Sequence, residues 1–247
     1  MERNVSFSAS GLTDIAVRLA WAQVEAFADD VEKIQVLAAG DEASVRDLRV
    51  EVDGDTLAIE QPQYALNLNI TESRWMQVCV RIPRAWNEKV HINTIGGMLN
   101  VRGLSGSRIV LDTISGDLRA VKLDSVELSL KTISGDIRAD NVQTQTLSAR
   151  TVGGNVSLND TSASCVKCTT VSGEQTLHIV SAFEKLELRS VSGNVLLTSP
   201  VQLMNVQMRS VSGRMNTEGV TLTEDKNAST VRITGVSADL KIISIKE

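Results

Sequence analysis

The chain has 247 residues, 42% of them apolar and only 3% aromatic, with a formal net charge of −5. That apolar share supports a folded core and argues against disorder. The acidic balance argues against nucleic acid as a partner, because phosphate binding calls for a basic footprint. No run of apolar residues is long enough for a membrane-spanning helix.

At this length one large all-β domain or two small ones fit. Three cysteines, Cys79, Cys165 and Cys168, are too few for a disulfide scaffold and suit a reducing compartment. The opening MERNVSFSASGLTD has no basic segment followed by an apolar one, so no secretory signal is read. With an initiating Met, the expectation is a cytoplasmic protein, with membrane association as its peripheral option.

Residues 1–93 carry no repeat. NVSFSAS alternates and reads as a strand. The stretch 15–28 is Ala-rich, which favours helix by propensity. Its alternation of Ile15, Val17, Leu19 and Trp21, and the alternating runs KIQVLAA, LRVEVDGDTLAIEQ and MQVCVRI, favour strand. Asp-Gly inside VDGD reads as a hairpin turn. This part holds all three Trp, the one Tyr (Tyr64) and two of the three Phe. It is read as a non-repeating, β-rich cap, because an open stack of strands leaves apolar core and strand edge exposed.

From residue 94 to 247 the chain repeats. TIGG starts at Thr94, TISG at Thr113 and Thr132, TVGG at Thr151, TVSG at Thr170, SVSG at Ser190 and Ser210, and a decayed GVSA at Gly235. The first five starts are 19 residues apart and the next two intervals are 20. The last is 25, with the polar insert TEDKNAST inside it. Counting from each Thr or Ser, position 2 is Ile or Val, and position 4 is Gly97, Gly116, Gly135, Gly154, Gly173, Gly193 or Gly213. These glycines are read as turn residues requiring positive φ. Apolar residues recur at positions 6 and 8, as in Ile137 and Ala139, and at 16 and 18, as in Leu128 and Leu130. Each repeat thus holds two short alternating segments. Position 2 stays open: alternation from position 18 turns the Thr inward and the Ile outward, and a kink would reverse them.

A fixed period of this size marks a repeat architecture, since one repeat cannot bury its own apolar side and stacked repeats can. The predicted fold is all-β: a β-solenoid, as a single-chain parallel β-helix of about 19–20 residues per coil, with the non-repeating β part continuous with it. The end at DLKIISIKE is read as uncapped and able to stack on another copy.

The TISGD-type repeats from Thr94 to Asp239, the strand pair LRVEVDGDTLAIEQ and the entry RIPRAWNEKVHINT together resemble the bacterial putative-adhesin, β-strand-repeat family of domains of unknown function. The resemblance covers most of the chain. It implies a β-helix-like stack of short strands and a link to cell-envelope stress responses, with adhesin or lipid-binding names among the members. It implies no catalytic residues. The missing export signal sets this chain apart from surface-exposed members.

Three features carry candidate chemistry. Cys165 and Cys168 have C-x-x-C spacing, which suits a zinc or redox site. Residues three apart on a strand face opposite ways, so the preferred reading is that Cys168 is a buried hydrophobe in the column of Leu111, Leu130 and Ala149. Asp117, Asp136, Asn155, Glu174 and Asn194 form an acidic column at position 5. It could hold a hard cation or perform glycoside chemistry, but turn preference explains it more simply. Lys131, Arg150, Arg189 and Arg209 form a basic column interrupted by Asp112 and Thr169. It could face anionic headgroups or acidic polymers, against the plainer reading of a solvated edge. No nucleophile, phosphate-loop or H-E-x-x-H pattern occurs, and His91 and His178 stand in unrelated contexts. Trp21, Trp75 and Trp86 read as core aromatics of the cap rather than a sugar site.

The expected function is a non-enzymatic scaffold or interaction module, without cofactor or metal. Its partner is expected to be a protein or an anionic membrane surface, and end-to-end self-association is allowed. A polysaccharide-active or cation-binding protein using Asp117 and Asp136, and an exported adhesin, are the alternatives.

Overall fold

The computed structural model describes residues 1–61 and 75–245, which form one 21-stranded sheet around a single apolar core. Tyr64 lies outside the described residues, as do Lys246 and Glu247. The first part holds β1 (Glu2–Ser8), β2 (Asp14–Asp29), β3 (Lys33–Gly40), the helix α1 (Glu42–Asp47), β4 (Arg49–Asp53), β5 (Thr56–Glu60) and β6 (Met76–Pro83). The middle runs through β7 (Lys89–Gly96), β8 (Leu99–Arg102), β9 (Ser105–Ser115), β10 (Leu118–Val121), β11 (Asp124–Lys131), β12 (Ile137–Arg150), β13 (Val156–Ser172), β14 (Gln175–Ile179), β15 (Lys185–Ser192) and β16 (Val195–Ser199). The last part comprises β17 (Leu203–Arg209), β18 (Met215–Glu218), β19 (Thr221–Leu222), β20 (Ser229–Ser237) and β21 (Leu240–Ser244).

In the middle, successive repeats pair as parallel strands in register, with one shift between β13 and β14 after Leu158. Leu128 stands between Ile109 and Leu147, and Ala139 between Ala120 and Leu158. Strand alternation sends positions 6, 8, 16 and 18 inward. Each fully buried Leu, Ile or Val contributes about 1.5–3 kcal/mol of hydrophobic stabilisation. With so few aromatics, these aliphatic columns supply the core.

The alternation continues through position 1. Thr94, Thr113, Thr132, Thr151, Thr170 and Ser190 are buried. The Thr132 and Thr151 hydroxyls donate to the carbonyls of Gly116 and Gly135 at 3.1 and 3.0 Å, which satisfies these two buried polar groups. Position 2 therefore points to solvent, and its Ile and Val side chains are 40–83% exposed.

The glycine at position 4 is required by a close approach of backbones. A Cβ on Gly135 would lie 2.1 Å from the Gly116 carbonyl oxygen, and one on Gly154 would lie 1.9 Å from that of Gly135. Gly97, Gly173 and Gly193 also carry φ of +122°, +148° and +142°, as expected of turn glycines, whereas Gly116, Gly135, Gly154 and Gly213 do not lie in that region. Positive φ is thus not the general reason for the column; contact between stacked turns is.

The expected β-solenoid, a regular single-chain parallel β-helix behind a non-repeating β part, is corrected. The sheet is mixed. β3 runs antiparallel to both β1 and β6, and β4 antiparallel to β5, so these lie as outer strands at one end. Parallel stacking also begins before the repeats. β2 pairs in parallel with β7 and β8 on one side and with β5 and β6 on the other, with Leu19 opposite Thr94. At the other end the chain order breaks. β20 lies between β15 and β17, and β21 between β16 and β18. The polar insert lets the chain step back past its last repeat and fill the gap. The described part of DLKIISIKE, residues 239–245, is therefore not the open end: β21 is paired on both sides, and the edge left over is β18 with β17, whose start is covered by the two-residue β19.

Local elements follow their patterns. The stretch 15–28 is strand, and Gly54 turns the β4–β5 hairpin with φ of +62°. Asp41 caps α1 by accepting the Ser44 N–H at 2.9 Å. Asp29 takes two bonds from the Arg81 guanidinium, at 2.9 and 2.5 Å, which ties β2 to β6. That bonding to Arg81 holds the Asp29 carboxyl below its ordinary range.

Candidate functional site

The outward faces of β9, β11, β12, β13, β15, β20 and β17 make one continuous surface. Along it Asp112, Lys131, Arg150, Thr169 and Arg189 stand side by side in register, in that order. The structure then places Thr234 between Arg189 and Arg209, because β20 enters out of sequence. All four basic residues are exposed, and among the described residues none of them forms an ion pair. Lys131 and Arg150 are direct neighbours, about 5 Å apart along the stack. Like charges set opposite one another across strands are destabilising.

The two neighbouring outward columns add Arg108, Lys167, Lys185 and Arg232. The acids of the whole strip are Asp112, Glu127 and Glu187. Two of these are spent locally: Arg108 pairs with Glu127 at 3.4 Å and Lys185 with Glu187 at 2.6 Å. The bond from Lys185 lowers the Glu187 carboxyl. Asp112 is pushed the other way: burial raises its carboxyl, opposed by Lys131 and His91. Eight cations against three acids leave this strip basic on a chain of net charge −5.

The acidic column stands at the glycine corner and is built into the backbone. Asp117 Oδ1 accepts the N–H of Asp136, Asp136 Oδ1 that of Asn155, and Asn155 Oδ1 that of Glu174, each at 2.9 Å. Asp239 does the same for Arg214 at 2.8 Å. One oxygen of each group thus closes the next turn. Asn194 is exposed in the same column, with its carbonyl accepting the Gln175 N–H. Beyond this corner, Arg119, Arg138 and Asp140 line a concavity of about 530 Å³ together with Asp136.

Cys168 is fully buried between Ala149 and Leu188, and burial pushes its thiol far above the ordinary value. Cys165 stands between Thr146 and Lys185 on the outward column. The two sulfurs therefore face opposite sides of β13 and are not brought together. Cys79 lies in β6, where burial likewise raises its thiol. Among the described residues, no group of three or more His, Cys, Asp or Glu is placed to hold a metal ion. His91 contacts Asp14 at 3.0 Å and His178 contacts Asp160 at 3.0 Å, on separate parts of the sheet. Trp86 is buried under the stack, whereas Trp75 is 57% exposed.

The structure decides the orientation of position 2, which the sequence left open. The outward residues at position 2 form a ladder: Ile95, Ile114, Ile133, Val152, Val171 and Val191, then Val236 and Val211. It stands two residues beyond the basic column on the same strand face, as Arg189 and Val191 do on β15. The buried Thr between them was the available signal.

This all-β stack of short repeats, turning on a glycine column, defines the class of protein. The chain belongs to the Toastrack family, DUF4097, a domain of unknown function whose family pattern matches residues 12–246. The resemblance read from the repeats agrees with this. Among solved structures, a putative adhesin from Bacteroides fragilis is similar over 98% of this chain and 97% of its own, with 13% identity and a TM-score of 0.56. A putative adhesin from Parabacteroides merdae is similar over 98% and 95%, with 10% identity and a TM-score of 0.55. A putative lipid binding protein from Parabacteroides distasonis is similar over 98% and 96%, with 15% identity and a TM-score of 0.51. At these identities the likeness shows the fold. No curated protein matches the chain.

Proposed function

We propose that the chain is a non-enzymatic interaction module whose basic strip docks an anionic surface, acting on the cytoplasmic side of the cell envelope. The observation that carries this reading is the column Lys131, Arg150, Arg189 and Arg209, exposed and without ion pairs among the described residues, on a chain of net charge −5. Maintaining that column costs repulsion within the fold, which an external anion relieves. No helix among the described residues is long and apolar enough to cross a membrane. Neighbours named as putative adhesins and as a putative lipid binding protein are in keeping with an interaction role. The acidic corner is the weaker candidate for binding, because its carboxylates already serve the turns.

The test is retention on a sulfonate resin at pH 7.5 and low salt. A protein with a pI near 5.2 is repelled by that resin if its charge is evenly spread. The expected result is retention, elution by salt, and flow-through of the Arg150→Glu, Arg189→Glu double variant. Flow-through of the unaltered protein would overturn the reading.

A further inference from the structure

The basic strip explains half of the outward face; the aliphatic ladder beside it is unused. Position 2 is Ile or Val in every repeat, and Ile95, Ile114, Ile133, Val152, Val171 and Val191 are each 40–50% exposed. These are β-branched side chains, with little conformational freedom to lose. They are held in register on strand ends or, at Ile133, Val152 and Val211, in the bends just beyond them, where Ile133 and Val152 bond their N–H groups to the carbonyls of Ile114 and Ile133. Eight rungs at the strand spacing give the ridge a length of about 34 Å. A contiguous exposed apolar line of this extent, rimmed by polar residues, marks an interaction site.

The charge beside the ridge indicates what covers it. Lys131, Arg150, Arg189 and Arg209 run parallel to the ladder, one inward residue away. A soluble anionic polymer would satisfy the cations and leave the ladder wet. A second copy laid antiparallel, ridge against ridge, would set the two basic columns against each other. A bilayer with anionic headgroups satisfies both features at once: cations meet phosphates in the headgroup layer, and the adjacent aliphatic side chains enter the boundary of the acyl region. Lys and Arg also suit that depth, since their stems can lie along apolar surface while the charge stays in water.

We infer that the ladder of Ile and Val at position 2 is a shallow lipid-insertion ridge, and that the anionic surface docked by the basic strip is a phospholipid bilayer. This rests on the proposed function and specifies its partner.

The experiment uses the full chain, vesicles of phosphatidylglycerol with phosphatidylcholine, and vesicles of phosphatidylcholine alone. The ladder variant is Ile133→Thr, Val152→Thr, Val171→Thr, which keeps β-branching and removes apolar character. A matching thermal melt establishes that it folds, and the single Val152→Thr variant serves if the triple variant does not. The expected results are binding to the anionic vesicles, a rise in surface pressure of a phosphatidylglycerol monolayer, and loss of both by about ten-fold or more in the ladder variant. Retention of the same variant on the sulfonate resin should be unchanged. Vesicle binding by the ladder variant equal to that of the unaltered protein would overturn the inference and leave the proposed function standing. A dimer in light scattering that the ladder variant dissociates would also overturn it, in favour of a second copy as occupant. Failure of the unaltered protein to bind either resin or vesicles would sink the proposed function itself.

Discussion

Gly135→Val is expected to destabilise the fold by about 3 kcal/mol or more, the upper range for overpacking a site that cannot yield. The Gly135 Cβ position lies 2.1 Å from the Gly116 carbonyl oxygen and 3.2 Å from the Asp117 nitrogen. Both are backbone atoms of the neighbouring repeat, and the Gly116 carbonyl is further held by the Thr132 hydroxyl. Relief therefore requires these two turns to separate, which also strains the bond from the Asp136 N–H to Asp117 Oδ1. For a chain of this size the change corresponds to a fall in melting temperature of about 6–12 °C. Gly153→Ala, in the next turn, is the internal control. Its Cβ would meet nothing closer than the Ile133 carbonyl oxygen at 3.8 Å, so its effect should stay within about 0.5 kcal/mol. Circular dichroism melts of both variants check this. An unchanged melting temperature for Gly135→Val would remove the close-approach account of the glycine column.

Leu128→Ala should cost about 2–5 kcal/mol, because Leu128 is fully buried in a column between Ile109 and Leu147. The stack leaves the space no easy way to collapse, since the rungs above and below are held at strand spacing by their own hydrogen bonds. Ile133→Ala removes a similar side chain a few residues away, but Ile133 is 41% exposed on the ladder. Its cost should be well under half that of Leu128→Ala. Urea denaturation of the two variants tests which residues face the core. The reverse order would mean that position 2 points inward and that no ladder exists.

Much of this was legible in the sequence because a repeat states its own register. The columns of Leu128 with Leu147 and of Cys168 with Ala149 follow from the 19-residue period alone, and the structure pairs them so. The basic column could be written down residue by residue for the same reason. Its order could not. The Ser210 and Gly235 copies present similar patterns, and only tertiary pairing decides which lies next to Ser190; the structure seats Gly235 there. The insert TEDKNAST was the visible sign that the chain steps out of line. β2 was hidden for a different cause. It runs straight past the corner where later repeats turn, so it lacks the Thr–Gly signature even though Ile15 and Val17 pair with Val90 and Ile92. The glycine column was legible as turn chemistry, and positive φ holds at Gly97, Gly173 and Gly193 but not along the whole column. Stacking distance, which a single repeat does not show, decides at Gly135. The outward turn of position 2 was one of two options in the sequence, since alternation from position 18 gives it and a kink would reverse it; the buried Thr column decides for alternation.

The central claim is that a net-acidic chain docks an anionic surface through one basic strip. The most direct measurement is binding to phosphatidylglycerol-containing vesicles as a function of salt, for the unaltered protein and for Arg150→Glu, Arg189→Glu. The account predicts binding that weakens steadily as salt rises and is absent from the double variant at every salt concentration. Binding that is indifferent to salt and to the charge reversal would contradict it.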